Sequence, residues 1–433
     1  MSKLKSTNIP WCPVISNKWN IERVKNKFYI SKVKANIKNP TVLKLARIGV
    51  QIRDISNNEG QLAASYENYN PVRYGDLLLN PMDLYSGANC NMSEVEGVIS
   101  PAYINLRTIY NDNPKYYDYY FKFQYWIMAM FAHGKGVSFD NRWTINTESI
   151  LNYEIPVPSK EEQDKIVYII NKKCNQIDLL IKNQEKQIEN LKAYKQSLIT
   201  EVVTKGLDPN VEMKDSGVEW LNEIPKNWST CPLKYFFDFG KGLPITKADL
   251  KENGEKVISY GQIHSKQNNF TQVSSELLRF VDPIFIETNP QSLVNKYDFI
   301  FADTSEDREG AGNFVYVNNN ERIFAGYHTI ILKNNTGIDY KYLAYLFMTD
   351  NWRSQIRCRV NGVKLFSITK GILSKTTIIL PTLFEQNMIN NFLDEKCTQI
   401  DHLITIKQNK IKKLNDYKKS IIYEYVTGKK EVI

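Results

Sequence analysis

Arginine, lysine, asparagine, glutamine and histidine are the side chains that can donate to base edges, and lysine, arginine and small polar groups suit phosphates. This chain places two such sets where its sequence turns. The first is Arg47, Gln51 and Arg53 along RIGVQIRD, followed by Lys135, Ser138, Asn141 and Arg142 after an aromatic stretch. The second is Lys241 in GKGLP, Gln262, His264 and Lys266 in YGQIHSK, Arg308 in a charged loop, Tyr327 with His328, and finally Arg357, Arg359, Asn361 and Lys364. The charge balance points the same way. Residues 1–53 hold twelve basic side chains against the single acid Glu22, and residues 351–384 hold six against none. With a net charge of +9, two basic tracts favour a polyanionic partner.

Other chemistries lack their residues. There is no GxxxxGK[ST] loop, no GxGxxG fingerprint and no GxSxG elbow. NPMD at Asn80 and SPAY at Ser100 are poor versions of the tetrad an aminomethyltransferase needs. The four histidines have no metal-ligand spacing, so no metal site is expected. Six scattered cysteines without a CxxC pair suit a reduced, cytoplasmic protein, and no apolar run is long enough to span a bilayer.

What must position the two sets is a repeat. Residues 155–204 recur at 378–427 without a gap, sharing about twenty identities, among them Cys174 with Cys397 and Asp178 with Asp401. Each copy opens on a capping box, Ser159 with Glu162 and Thr382 with Glu385. One heptad position then carries Ile170, Ile177, Gln184, Leu191 and Leu198, matched by Leu393, Ile400, Lys407, Leu414 and Ile421. Neighbouring positions add Ile181 and Ile188 with Ile404 and Ile411, and Leu180 and Tyr194 with Leu403 and Tyr417. Five heptads with a one-sided apolar seam predict a coiled coil, and the economical partner for one helix is the other copy. Each helix would run about 44 residues, roughly 65 Å, and stop at Gly206 or Gly428.

The bodies before the helices are also related. Trp11 and Trp19 are spaced like Trp220 and Trp228, and RYGDLLLN around Asp76 resembles KYDFIFAD around Asp298. An aromatic helical stretch follows in each, from Tyr116 and from Tyr340 through DNWRSQI. Short β-rich runs before one helix read as two α+β domains. The expected division is residues 1–154 and 207–377 for the domains, with the coiled-coil helices at 155–206 and 378–433. The bodies differ far more than the helices do, as a device with two different reading heads would.

The helix starts PSKEEQDKI and PTLFEQNMI, and the segment TKGLDPN to KDSGVEWLNEIPKNW from Thr204 to Trp228, closely resemble the specificity subunit of bacterial type I restriction-modification systems. PWCPVISNKW is a looser version of the second entry segment. The resemblance implies two α/β target recognition domains separated by an antiparallel intramolecular coiled coil. Each domain would read one half of a split, asymmetric double-stranded DNA target, and the helices would set the spacer. It implies docking of two adenine methyltransferase subunits, then restriction and translocase subunits, with S-adenosylmethionine, ATP and magnesium on those partners. This chain would have no active site, cofactor or metal of its own. Two rival readings differ in class: a coiled-coil scaffold whose bodies bind proteins, and a solitary nuclease using the carboxylates from Asp303 to Glu309.

Overall fold

The computed structural model describes residues 4–46, 49–56, 63, 65–82, 84, 90–136, 143–336, 338–362 and 365–432. The chain divides into two compact units, Met1–Glu185 with Lys407–Ile433, and Lys186–Ile406. Each therefore contains one body, part of the first long helix (Lys160–Lys205) and part of the second (Leu383–Val426).

In the first unit an antiparallel sheet runs in the order Phe28–Ile30, Ile104–Thr108, Leu77–Leu79, Cys90–Met92. Leu77, Leu78 and Leu79 are buried on both faces, which explains an unbroken apolar run where alternation would mark a half-exposed strand. The aromatic helix Pro114–Trp126 joins this core. Asn113 caps it by accepting from the Lys115 amide, Pro114 occupies its first turn, and Tyr116, Tyr117, Tyr120 and Phe121 are wholly buried. The strand Asn20–Arg23 pairs with Glu154–Val157, so the entry segment closes onto the residues that lead into the first long helix.

The second unit repeats the plan. Its corresponding sheet runs Phe237–Lys241, Thr329–Asn334, Phe299–Ala302, Phe314–Tyr316, and Ser229–Pro232 pairs with Thr377–Leu380 ahead of the second long helix. Its second sheet, Arg279–Val281, Glu255–Ile258, Ile323–Ala325, Leu293–Val294, includes one parallel pair, and the first unit has a smaller counterpart in which the hairpin Leu43–Ala46 with Gly49–Ile52 meets the pair Asn70–Val72 with Gly97–Ile99 through the parallel bridge of Val42 and Val98. The aromatic stretch from Tyr340 is two helices, not one: Lys341–Phe347, then Asp350–Arg357. The break falls at Thr349, whose hydroxyl caps the second helix by accepting from the Trp352 amide.

Within each unit the two helical segments run antiparallel. Lys418 reaches both oxygens of Asp178 at 2.7 Å in the first unit, and in the second Lys195 reaches Asp401 at 2.7 and 2.8 Å. These are the same pair of positions taken from opposite copies of the repeat. Ile170, Cys174, Ile177, Leu393, Cys397, Ile400 and Ile421 are buried, and Gln184 is buried in the seam as well. Leu180, Tyr194, Leu403 and Tyr417 do not belong to the seam: they are 49%, 57%, 46% and 56% exposed. The reason is angular. Leu180 lies three residues past Ile177, about 60° to one side of the seam at 100° per residue, whereas Ile181 lies about 40° to the other and is half-buried.

The ends are held by a second duplicated set. Tyr116 donates its hydroxyl to the Val426 carbonyl at 3.1 Å, and Tyr342 to the Val203 carbonyl at 2.7 Å; these carbonyls lie in the last turns of the long helices, where no intrahelical donor remains. Trp19 and Trp228 cross those tyrosines edge-on, at 6.2 and 6.3 Å between centroids. Gly206 and Gly428 follow with φ of +80° and +67°, the left-handed conformation that ends a helix. At the helix starts the Thr382–Glu385 box is reciprocal, whereas Ser159 only accepts from the Glu162 amide. Gln163 adds a bond there, accepting from the Asn113 amide at 2.7 Å.

Two substitutions separate these contributions. Tyr342→Phe leaves the Val203 carbonyl without its donor in a fully buried site and is expected to lower unfolding free energy by about 1–3 kcal/mol in urea titration. Lys195→Gln removes a largely solvated ion pair and should cost under about 1 kcal/mol. Equal costs would contradict this division.

Candidate nucleic-acid interface

In the second unit, register fixes which strand ends meet. Lys241 pairs with Ile330 and Ala302 with Thr329, so the end of Phe237–Lys241, the end of Phe299–Ala302 and the start of Thr329–Asn334 share one end of the sheet. The loops leaving that end carry Tyr327, His328 and the charged run from Asp303 to Gly310.

His328 sits at φ +56°, exposed, with its Nδ1 3.2 Å from Asp303. Tyr260 packs edge-on against Tyr327, His328 and His264, at 5.6, 5.4 and 6.3 Å between centroids. The His264 ring is fixed on both sides. Its Nε2 lies 2.8 Å from the Thr304 carbonyl, which can only accept, so Nε2 carries the proton and Nδ1 accepts from the Asn313 amide at 3.0 Å. Asn313 then turns its oxygen to Nη1 of Arg353 at 2.6 Å. Arg353 is buried, donates Nε to the Phe347 carbonyl at 2.8 Å and lies over the Phe270 ring at 5.1 Å. Burial pulls its pKa down to about 10, with the neighbouring Arg357 charge adding to the effect, so it remains a cation at neutral pH. Arg353, Asn313, His264 and Thr304 thus form one chain of donors and acceptors running from the core to the charged loop.

That loop is tied down elsewhere too. Thr304–Ser305 pairs with Phe366–Ser367, and the Asp303 carbonyl accepts from the Ile368 amide at 2.7 Å. Arg308 directs Nε and Nη2 to the Arg357 carbonyl, while Arg357 reaches the Glu309 carbonyl and Asp350. A cleft of about 570 Å³ remains between the loop and the Tyr260–Ile263 helix, with His264 also lining it. Rigid backbone with exposed polar side chains is what readout of base edges requires, because ordering those groups has already been paid for in folding.

The sequence-predicted residues are therefore not equivalent. His264, Arg308, Tyr327 and His328 are gathered around this loop. Gln262 folds back on the start of its own helix and accepts from the Ser259 amide, and Arg359 donates to the Gln355 carbonyl. Asn361 bridges to Ser367 through the backbone, Lys266 is exposed, and Lys241 lines a different cleft. In the first unit Gln51 lies in the hairpin of Leu43–Ala46 with Gly49–Ile52. Arg53 follows it half-buried, and Lys135 is exposed and paired through its backbone with Thr144. Arg47, Ser138, Asn141, Arg142 and Lys364 lie outside the described residues. Sequence reasoning did not single out Tyr260 or Asn313 and counted Arg353 only in the basic tract; an arginine between Trp352 and Ile356 on an amphipathic helix carries no local signal that it turns inward.

Among the described residues no group of three or more His, Cys, Asp or Glu side chains could hold a metal ion, and no helix is long and apolar enough to cross a membrane. Asp303 faces His328 and Thr304, and Asp307 accepts from the Gly310 amide.

Residues 90–190 and 225–428 match the family model described as the type I restriction modification DNA specificity domain. The chain belongs to this family. It is 26% identical over 281 residues to the type I restriction enzyme MjaVIII specificity subunit of Methanocaldococcus jannaschii, an overlap of 64% of this chain and 62% of that protein. The fold agrees. A chain from a structure titled for complex assembly and conformational transition of the type I R-M system superposes with a TM-score of 0.70 at 15% identity, covering 96% of this chain and 99% of that one. The HsdS subunit from Thermoanaerobacter tengcongensis gives 0.50 at 15% identity, with 96% and 98% covered. Two recognition domains with long helices are thus the architecture of this chain, as the resemblance implied.

The orienting chain has a spectroscopic consequence. Neutral His264 should be the Nε2–H tautomer, visible in imidazole nitrogen shifts, and Arg353→Met should keep that tautomer, because the Thr304 carbonyl still requires it, while costing about 1–3 kcal/mol for the two acceptors left unpaired. A Nδ1–H tautomer in the wild type would contradict the assignment.

Proposed function

We propose that this chain is the DNA-reading specificity subunit of a type I restriction-modification complex, in which each body reads one half of a split, asymmetric target and the paired helices fix the unread spacer. The observation that carries this reading is the contrast between its parts. The helical segments are matched between copies down to the Asp–Lys pair and the Tyr-to-carbonyl clasp, while the bodies differ in what their shared strands carry: Leu43–Ala46 and Gly49–Ile52 form a hairpin in the first, whereas Glu255–Ile258 and Arg279–Val281 in the second are connected through the Tyr260–Ile263 helix with its polar groups. A frame used twice with two unlike heads suits a target of two unlike halves. Methylation and cleavage then belong to partner subunits.

The frame also offers a duplicated docking face. Leu180 and Tyr417 stand exposed in the first unit, Leu403 and Tyr194 in the second, and each pair flanks the seam on the side away from its ion pair. Neither pair serves the seam, yet both keep the same residue types at the same repeat positions. That supports a partner bound twice, as two methyltransferase subunits would be.

Co-expression with a cognate methyltransferase subunit, followed by N6-methyladenine mapping, tests the function. A single split motif with a fixed gap, dependent on this chain, is expected; methylation indifferent to the chain would favour a protein scaffold instead. Leu180→Ser with Tyr417→Ser should reduce the bound methyltransferase from two copies to one by native mass, with little loss of stability because both side chains are exposed. Two copies retained would remove the proposed face.

A further inference from the structure

Lys241 lines a cleft of about 530 Å³ in the second unit together with Lys333, Lys370, Asn289, Gln291 and Asp238. Three ammonium groups against one carboxylate leave it positively charged, and among the described residues no carboxylate comes within salt-bridge distance of Lys241 or Lys333. The walls are fixed. Lys370 donates Nζ to the Phe239 carbonyl at 2.9 Å, which holds the ammonium at the cleft with donors to spare, and Ser292 ties the opposite wall by donating to the Lys241 carbonyl at 3.0 Å. Lys333 and Asp238 are direct cross-strand neighbours, so the one carboxylate offsets the one lysine beside it.

We propose that this cleft grips the sugar-phosphate backbone of duplex DNA and sets the position of the second body on its half-site without reading sequence. The proposal rests on the DNA-reading function above and adds a site to it. The lining supplies what a phosphate contact needs: lysines with small neutral amides around an open cleft. Its place in the fold adds an independent argument. Phe237–Lys241 is the edge strand of its sheet and ends on Lys241, and the edge strand Phe28–Ile30 of the first unit is followed closely by the exposed Lys32, Lys34 and Lys38. Both bodies thus carry positive charge at the end of the same edge strand, although their polar loops differ. A contact that ignores sequence is the one that unlike heads can share.

The test uses the full chain assembled with its methyltransferase partner, titrated against two labelled duplexes, one with the methylated motif and one without, across a salt series. Lys241→Gln, Lys333→Gln and Lys370→Gln combined should make the log–log salt dependence shallower by about 2–3, at roughly 0.9 for each phosphate no longer neutralised. Affinity for both duplexes should fall by the same factor, with the methylated motif unchanged, and the corresponding triple arginine variant should keep the wild-type slope. An unchanged slope in the glutamine variant overturns the cleft alone, as does a change in the methylated motif, which would make these lysines base readers. A wild-type complex with no salt-dependent DNA affinity overturns the function proposed above and this site with it.

Discussion

A helix of more than forty residues with one apolar stripe cannot stand alone in water, and everything else in this molecule follows from how that stripe is covered. Propensity alone stabilises an isolated helix weakly, so the stability has to come from burial along the seam. The chain solves this by carrying the same helix twice. Antiparallel pairing of identical patterns brings position 178 of one copy to the 195-equivalent of the other, and the reverse in the other unit, so one sequence pattern yields two equal contacts. The exposed ion pairs add little energy. Their use is to favour one register over slipped ones.

The same constraint explains the clasps. Long helix ends carry carbonyls that need donors, and here the donors come from the bodies, through Tyr116 and Tyr342. Each body therefore recognises the last turn of one long helix and the first turn of the other, where Asn113 meets Gln163 and Asp164, and Asn227 and Trp228 meet Glu385. The framework is specified by buried hydroxyl-to-carbonyl bonds and indole packing. The loops that carry exposed polar groups are left free to vary without disturbing it.

Periodic and local features are legible in the sequence: the repeat, both helix starts, the glycine stops and most of the seam all follow from spacing. What spacing does not resolve is the angle. Leu180 and Tyr194 look like seam residues in a heptad table but turn outward, because a seam built on Ile177 and Ile181 leaves no room for a third position about 60° away. The split of the second aromatic stretch is marked by Thr349, an N-cap residue inside a run whose spacing otherwise reads as one helix. The polar site is the least legible part. Arg308, Arg357 and Arg359 look like free guanidiniums in the sequence, yet all three donate to main-chain carbonyls. His264 is oriented from Asn313 and, through it, from Arg353, both far along the chain. Tertiary hydrogen bonding decides which basic residues serve the fold, and it leaves no trace in local pattern.

The central proposal is that the helical pair measures distance between two reading heads. Removing the matched heptads 184–190 and 407–413 would shorten each helix by roughly 10 Å at 1.5 Å per residue while keeping the seam in phase, a length worth about three base pairs. Methylation mapping with this shortened chain should show both half-sites unchanged and the gap between them about three base pairs smaller. An unchanged gap, or a new half-site sequence, would contradict the account.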